Sequence, residues 1–210
     1  MIVSDICALD KKRSKVFIDG EFAFVLYNGE LRDFDIKVGN ELSEDKYNEI
    51  ECGLLSKRAK LRAMNLLQKR DYTEKQLRDK LSDGMYPQDC IDTAIDYVKS
   101  YRYVDDERYA EDYINYHMSG RSRNRIIMDL MNKGISKDII LNKLEELYSE
   151  SGDENEIIQI RQLLIKKKYD AQTIDHKEKQ KLIAFLMRRG YDISTIKKAM
   201  DSGITRHCVL

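Results

Sequence analysis

A chain of 210 residues, 42% hydrophobic and 35% charged, has the composition of a soluble protein with much exposed helix surface. One Pro, ten Gly and no Trp suit a helical chain with few long loops, and no apolar run is long enough to cross a bilayer. The 37 basic and 37 acidic residues cancel, so any attraction to an anionic partner must come from how the charges are distributed.

The first stretch differs from everything after it. Lys15 to Ile18 and Glu21 to Tyr27 are β-rich runs joined by Asp19-Gly20, the strongest short hairpin signal. Ile6 to Leu9 supplies a candidate third strand, and Asn28-Gly29 reads as a second turn toward Leu31 to Val38. So small a sheet needs a helix over its apolar face, and the segment after Glu44 is expected to begin one. The opening Met1-Ile2-Val3-Ser4-Asp5 has no basic n-region or apolar h-region, so the protein is expected to be cytoplasmic.

From about Ser56 the apolar period becomes helical. Ala59, Ala63, Leu66 and Leu67 mark a first helix, and Thr73-Glu74-Lys75-Gln76 fits a capping box at the start of a second. Leu77, Leu81, Ile91 and Ile95 then set a frame that recurs as Ile126, Leu130, Ile140 and Leu144, and again as Leu182, Leu186, Ile196 and Met200. Pairs at i, i+4 share a helix face, so each copy reads as two short amphipathic helices. The joining turns are Gly84-Met85-Tyr86-Pro87, Gly134-Ile135-Ser136 and Gly190-Tyr191-Asp192, with Gly suited to end one helix and Pro, Ser or Asp to begin the next. An apolar residue lies five beyond the preceding Leu each time, at 86, 135 and 191. Asp105-Asp106-Glu107 opens the second unit with residues that suit a helix N-terminus, and Ser122 can cap the helix that follows. Ser149 to Asp153 is the clearest linker.

The expected fold is therefore mainly α: three tandem three-helix units in an elongated array, preceded by a small β-sheet. The boundaries are 1–55 for the β-rich extension with a short helix, 56–104 for unit one, 105–152 for unit two, and 153–210 for unit three with a tail. Units of roughly 45–50 residues gain stability by stacking on neighbours.

Basic residues crowd three places. Arg58 to Lys80 is the first, Arg121, Arg123 and Arg125 the second, and Lys166 to Arg189 the third. Solvated helix faces and a basic stripe toward an acidic protein or phosphate backbone both fit that pattern. Catalytic signatures are missing. There is no phosphate-binding glycine loop or recognisable triad, and His117, His176 and His207 have no second ligand at metal spacing. Cys7, Cys52, Cys90 and Cys208 form no CxxC pair. Capping explains Asp105 to Asp112 more simply than a Mg²⁺ site does. Among thirteen tyrosines, Tyr86, Tyr109, Tyr113 and Tyr191 fall at core positions, while Tyr101, Tyr103, Tyr116 and Tyr169 are less committed to packing.

Three stretches carry a family likeness. They are Leu66-Leu67-Gln68-Lys69-Arg70-Asp71-Tyr72-Thr73-Glu74-Lys75-Gln76-Leu77-Arg78-Asp79-Lys80-Leu81, then Tyr103-Val104-Asp105-Asp106-Glu107-Arg108-Tyr109-Ala110-Glu111, then Arg125-Ile126 with Leu130 and Lys133-Gly134-Ile135. In this order they resemble the bacterial RecX regulators of the RecA recombinase. Unit three joins by its apolar frame and Arg189-Gly190-Tyr191. Gly84 falls one place early and the loop from Asp170 to His176 is long.

The resemblance implies a non-enzymatic modulator, and a monomer without cofactor or metal is expected. It would lie in the helical groove of the RecA–single-stranded DNA filament and restrain ATP hydrolysis, strand exchange and co-protease activity in DNA repair and the SOS response. On that reading Arg62, Lys69, Arg70, Lys75, Arg78, Arg121, Arg123 and Arg125 contribute to filament contact, with weak DNA contact besides. A helical regulator acting on DNA directly is the alternative, and a nuclease acting through the Asp105 group a third reading.

Overall fold

The Asp19-Gly20 pair makes the tight turn expected of it, both residues adopting positive φ (51° and 92°). In this computed structural model, which describes residues 1–148 and 154–201, the turn joins β2 (Arg13–Ile18) to β3 (Glu21–Tyr27). Strand β1 (Val3–Ala8) pairs antiparallel with β2, giving a three-stranded sheet of order β1-β2-β3. Val16 lies opposite Ile6 on one side and Phe24 on the other. Alternation buries Ser14, Val16 and Ile18, and Phe24 and Leu26 join them. The linker at 149–153, His207 and Cys208 lie outside the described residues.

Asn28-Gly29 does not turn the chain into another strand. It opens the short helix α1 (Asn28–Asp33), because Glu30 Oε2 accepts from the Tyr27 N–H at 2.7 Å and satisfies a donor at the helix start. The chain returns through α2 (Glu44–Asn48), a π-helical stretch Glu49–Leu55, and α3 (Ser56–Leu67). The wider π turn brings Ile50 and Leu55, five residues apart, into the core together. Arg58 ties α3 to the sheet: its guanidinium bonds Glu30 and the Val25 carbonyl and lies over the Tyr27 ring.

Helices α4 (Glu74–Ser82) and α5 (Gln88–Ser100) complete unit one. The capping box forms as expected, with Thr73 Oγ1 accepting from the Gln76 N–H at 3.2 Å and Gln76 Oε1 accepting from the Thr73 N–H at 3.4 Å. One buried core runs from Val3, Val16 and Phe24 through Ile50, Ala63, Leu77 and Ile95 to Val104. The sheet and helices α3, α4 and α5 are thus packed as one body.

The chain divides into two compact halves, Met1–Asp105 and Asp106–Leu210. The second half holds α6 (Asp106–His117), α7 (Arg123–Asn132) and α8 (Lys137–Tyr148), then α9 (Glu154–Lys166), α10 (His176–Arg188) and α11 (Ile193–Asp201). Ile126, Leu130, Ile140 and Leu144 centre one core, and Leu186, Ile196 and Met200 another. Every position of the repeated frame is buried except Leu182, which is half-buried.

The recurring apolar residue after each turn has a geometric cause. The Ile135 N–H donates to the Leu130 carbonyl and the Tyr191 N–H to the Leu186 carbonyl. Gly134 and Gly190, both at φ 92°, close the shorter loop onto Met131 and Met187. This is the Schellman ending, which needs a left-handed residue followed by an apolar one packed back on the helix. In unit one the left-handed residue is Met85 (φ 60°), not Gly84. Gly84 is required for a different reason, since a Cβ there would sit 2.9 Å from the Tyr86 ring and 3.0 Å from the Leu81 carbonyl oxygen. Met85→Gly should therefore stabilise the protein by up to about 1 kcal/mol, and Gly84→Ala should destabilise it by about 1–2 kcal/mol. Urea midpoints of the two variants measure both signs.

Candidate functional site

The expected contact residues fall into two groups, one in each half. In the first half, Arg62 on α3, Lys69 and Arg70 beyond its end, and Lys75 on α4 are exposed. Among the described residues Arg62, Lys69 and Lys75 are in no ion pair, and the Arg70 guanidinium lies 4.4 Å from the Tyr72 ring centre. Arg78 is placed differently. Its Nε meets Glu74 Oε1 at 2.8 Å and its Nη1 meets Asp92 Oδ1 at 2.5 Å, so it joins α4 to α5. The bond to Asp92 is the main cause raising the Arg78 pKa. Burial pushes the Glu74 carboxyl up, but hydrogen bonds from Lys99 and Arg78 outweigh that and hold it below the usual range.

In the second half Asp129, on α7, gathers the basic residues. Its carboxylate accepts from Arg121 Nη1 at 2.6 Å and lies 3.1 Å from Arg125 Nε, and its side chain is only 12% exposed. Tyr113 shares the cluster, its hydroxyl 2.8 Å from Arg121 Nη1 and 3.3 Å from Asp129. The Arg123 guanidinium lies 5.7 Å from the Tyr148 ring centre, and its backbone N–H donates to Glu156 Oε1 at 2.5 Å.

That last bond belongs to a polar seam joining the two helical units of this half. Ser122, the N-cap of α7, accepts from the Arg125 N–H and donates its hydroxyl to the Arg189 carbonyl at 2.7 Å. Asn124 Nδ2 donates to the Gly190 carbonyl at 3.0 Å. Gln159 Nε2 donates to the Met118 carbonyl at 2.7 Å, and the Tyr191 hydroxyl donates to Gln159 Oε1 at 2.9 Å. Because Ser122, Gln159 and Tyr191 are buried, removing one partner of these bonds while the units stay packed would leave the other unsatisfied.

The seam borders a cleft of about 330 Å³ lined by Gly120, Arg121, Ser122, Arg125, Arg188, Arg189 and Tyr191. Arg188 and Arg189 stand in the third basic run of the sequence and are absent from the expected contact set. The structure brings them beside Arg121 and Arg125. The available signal was their place immediately before Gly190, at the end of α10, where unit two has Asn132-Lys133. Both are exposed, neither is in an ion pair among the described residues, and the Arg189 guanidinium rests 4.8 Å from the Phe185 ring centre.

The less committed tyrosines are surface residues in part. Tyr101, Tyr103 and Tyr116 are exposed, with Tyr101 and Tyr103 stacked at 5.7 Å and 14°. Among the described residues, no three His, Cys, Asp or Glu side chains are gathered as a metal ion needs. No helix there is long and apolar enough to cross a membrane.

Comparison with known proteins follows the three-unit division. The model for the first three-helix domain of RecX matches residues 59–97, that for the second 105–144 and that for the third 154–200. The regulatory protein RecX of Caldanaerobacter subterraneus subsp. tengcongensis is 35% identical over 203 residues, covering 96% of this chain and 99% of its own. That of Clostridium perfringens (strain 13 / Type A) is 34% identical over 193 residues, covering 86% and 84%. Two solved structures share the fold. A crystal structure of regulatory protein RecX aligns with a TM-score of 0.65 at 22% identity, over 96% of this chain and 99% of that one. The crystal structure of RecX from Lactobacillus salivarius gives 0.62 at 23% identity, over 70% and 95%. With three domain models matched in order and relatives of this identity matched along nearly all of their length, the chain belongs to the RecX family of regulatory proteins.

Proposed function

We propose that this protein is a non-enzymatic, monomeric regulator that binds the RecA filament on single-stranded DNA, in its helical groove, and restrains ATP hydrolysis, strand exchange and co-protease activity. The match of all three RecX domain models, in order along one chain, carries this reading. The distribution of charge supports it, because cations stand on both halves although the net charge is zero. Arg62, Lys69, Arg70 and Lys75, with Arg123, are the exposed contributors to filament contact. Arg78, Arg121 and Arg125 contribute from positions already held by carboxylates.

The test is single-strand-dependent ATP hydrolysis by RecA, with this protein titrated at substoichiometric ratios and several salt concentrations. Inhibition is expected well below one molecule per protomer. Reversing Arg62, Lys69, Lys75 and Arg123 to Glu together should abolish it while leaving the helical circular dichroism unchanged, because these four side chains are exposed and the first three are in no ion pair among the described residues. Full inhibition by the reversed variant would remove the residue assignment. No effect of the parent protein, alongside tight binding to bare DNA, would remove the filament reading.

A further inference from the structure

The cleft bordered by the polar seam collects four guanidinium groups, Arg121 and Arg125 from one helical unit and Arg188 and Arg189 from the next. We propose that it is an oxyanion site for a phosphate group, such as one phosphodiester of a nucleic-acid backbone, and that the bound phosphate bridges the two units. The proposal stands whether or not a recombinase is the partner.

Charge is the first ground. Four arginines line the cleft, and among the described residues only Asp129 forms an ion pair with any of them, so basic side chains outnumber their carboxylate partners. Cations held this close repel one another, and an anion among them removes the repulsion. Donor inventory is the second. The bonds to Asp129 and Tyr113 use Nη1 of Arg121 and Nε of Arg125, so each fork keeps N–H groups for a ligand. Arg188 and Arg189 keep theirs as well, since among the described residues neither meets a carboxylate. The third is pre-organisation. Ser122 fixes the Arg189 backbone at 2.7 Å, Asn124 fixes Gly190 at 3.0 Å, and Tyr191 is held by Gln159 at 2.9 Å, so the backbone that carries these side chains is already in place when a ligand enters.

Geometry favours phosphate over carboxylate. A planar carboxylate accepts one or two forks in its own plane, whereas a tetrahedral phosphate presents oxygens to forks arriving from separate sides. Here the forks come from two different helical units.

The experiment uses the full chain and no recombinase. Inorganic phosphate is titrated by calorimetry against chloride at matched ionic strength, and a fluorescein-labelled oligothymidylate is titrated across a salt series. Phosphate should bind the parent protein and raise its melting temperature, and the R188Q/R189Q variant should bind it roughly tenfold more weakly or worse. For the oligonucleotide, the slope of log K against log salt should become shallower by about 0.7 in that variant, the value for one lost phosphate contact on a single strand. Weakened phosphate binding with an unchanged oligonucleotide slope would keep the site and assign it to free phosphate. Unfolding in chloride should match the parent, because both side chains are exposed. If it does not, R188K/R189K keeps the charge, loses the fork and should still weaken binding. Phosphate binding no tighter than chloride, or fully retained by both variants, would overturn the site. So would a glutamate-rich peptide binding through Arg188 and Arg189 where phosphate does not.

Discussion

Replacing Gly190 with Ala is expected to lower stability by about 3 kcal/mol. Two separate effects combine. Gly190 sits at φ 92°, where an L-residue is destabilised by roughly 1–2 kcal/mol. A Cβ there would also stand 2.6 Å from Ser122 Oγ and 3.2 Å from the Arg125 backbone nitrogen. The side chain must therefore push the N-cap of α7 away from the end of α10, breaking the Ser122 bond to Arg189 and weakening the Asn124 bond to Gly190. Gly20→Ala is the control, with the same φ of 92° but nothing within 4 Å of the added carbon. It should show only the backbone part, about 1–2 kcal/mol. Urea denaturation of both variants measures the difference, and equal midpoints would show that the seam bears no energy.

Asp129→Asn should move stability and anion binding in opposite directions. The carboxylate is nearly enclosed and accepts from Arg121 and Tyr113 while pairing Arg125, so its neutralisation leaves two guanidinium groups beside an uncharged amide. A loss of about 2 kcal/mol follows from weakening charge-assisted bonds in a half-buried setting. The same change removes one negative charge from beside the cleft and should tighten inorganic phosphate about tenfold, the effect of one unit charge a few ångströms away in an intermediate dielectric. Thermal denaturation in chloride reads the first effect and phosphate calorimetry the second. Loss of phosphate binding in a variant that remains folded would mean that Asp129 orients the guanidinium groups rather than diluting their charge.

Local chemistry was legible from residue order wherever it was self-contained. The Asp19-Gly20 turn, the Thr73–Gln76 capping box and the three-fold apolar frame each depend on residues a few positions apart, and each forms as expected. Other features depended on competition between neighbours. Asn28-Gly29 can turn a chain or start a helix, and Glu30 decides for the helix by reaching back to the Tyr27 N–H. Gly84 looked like a helix terminator, yet Met85 takes the left-handed conformation because the glycine is needed where Tyr86 and Leu81 crowd it. The cleft was hidden for a third reason. Ser122 and Arg189 are 67 residues apart, and no periodicity announces which cap of one unit docks on which turn of the next. Four arginines in two separate basic runs become one site only through that docking.

The π-helical stretch Glu49–Leu55 makes the first half depend on chain length as well as on residue identity. A π turn amounts to an α-helix that has absorbed one extra residue. If the same residues wound as ordinary α-helix, the extra one would rotate everything downstream by about 100° about the helix axis. Ala59, Ala63 and Leu66 would swing off the core, and Arg58 would lose Glu30 and the Val25 carbonyl together. The phase between the sheet and the first three-helix unit is thus set by one residue's worth of backbone, and a single deletion here, which leaves an α turn in nearly the same phase, should be tolerated better than a single insertion.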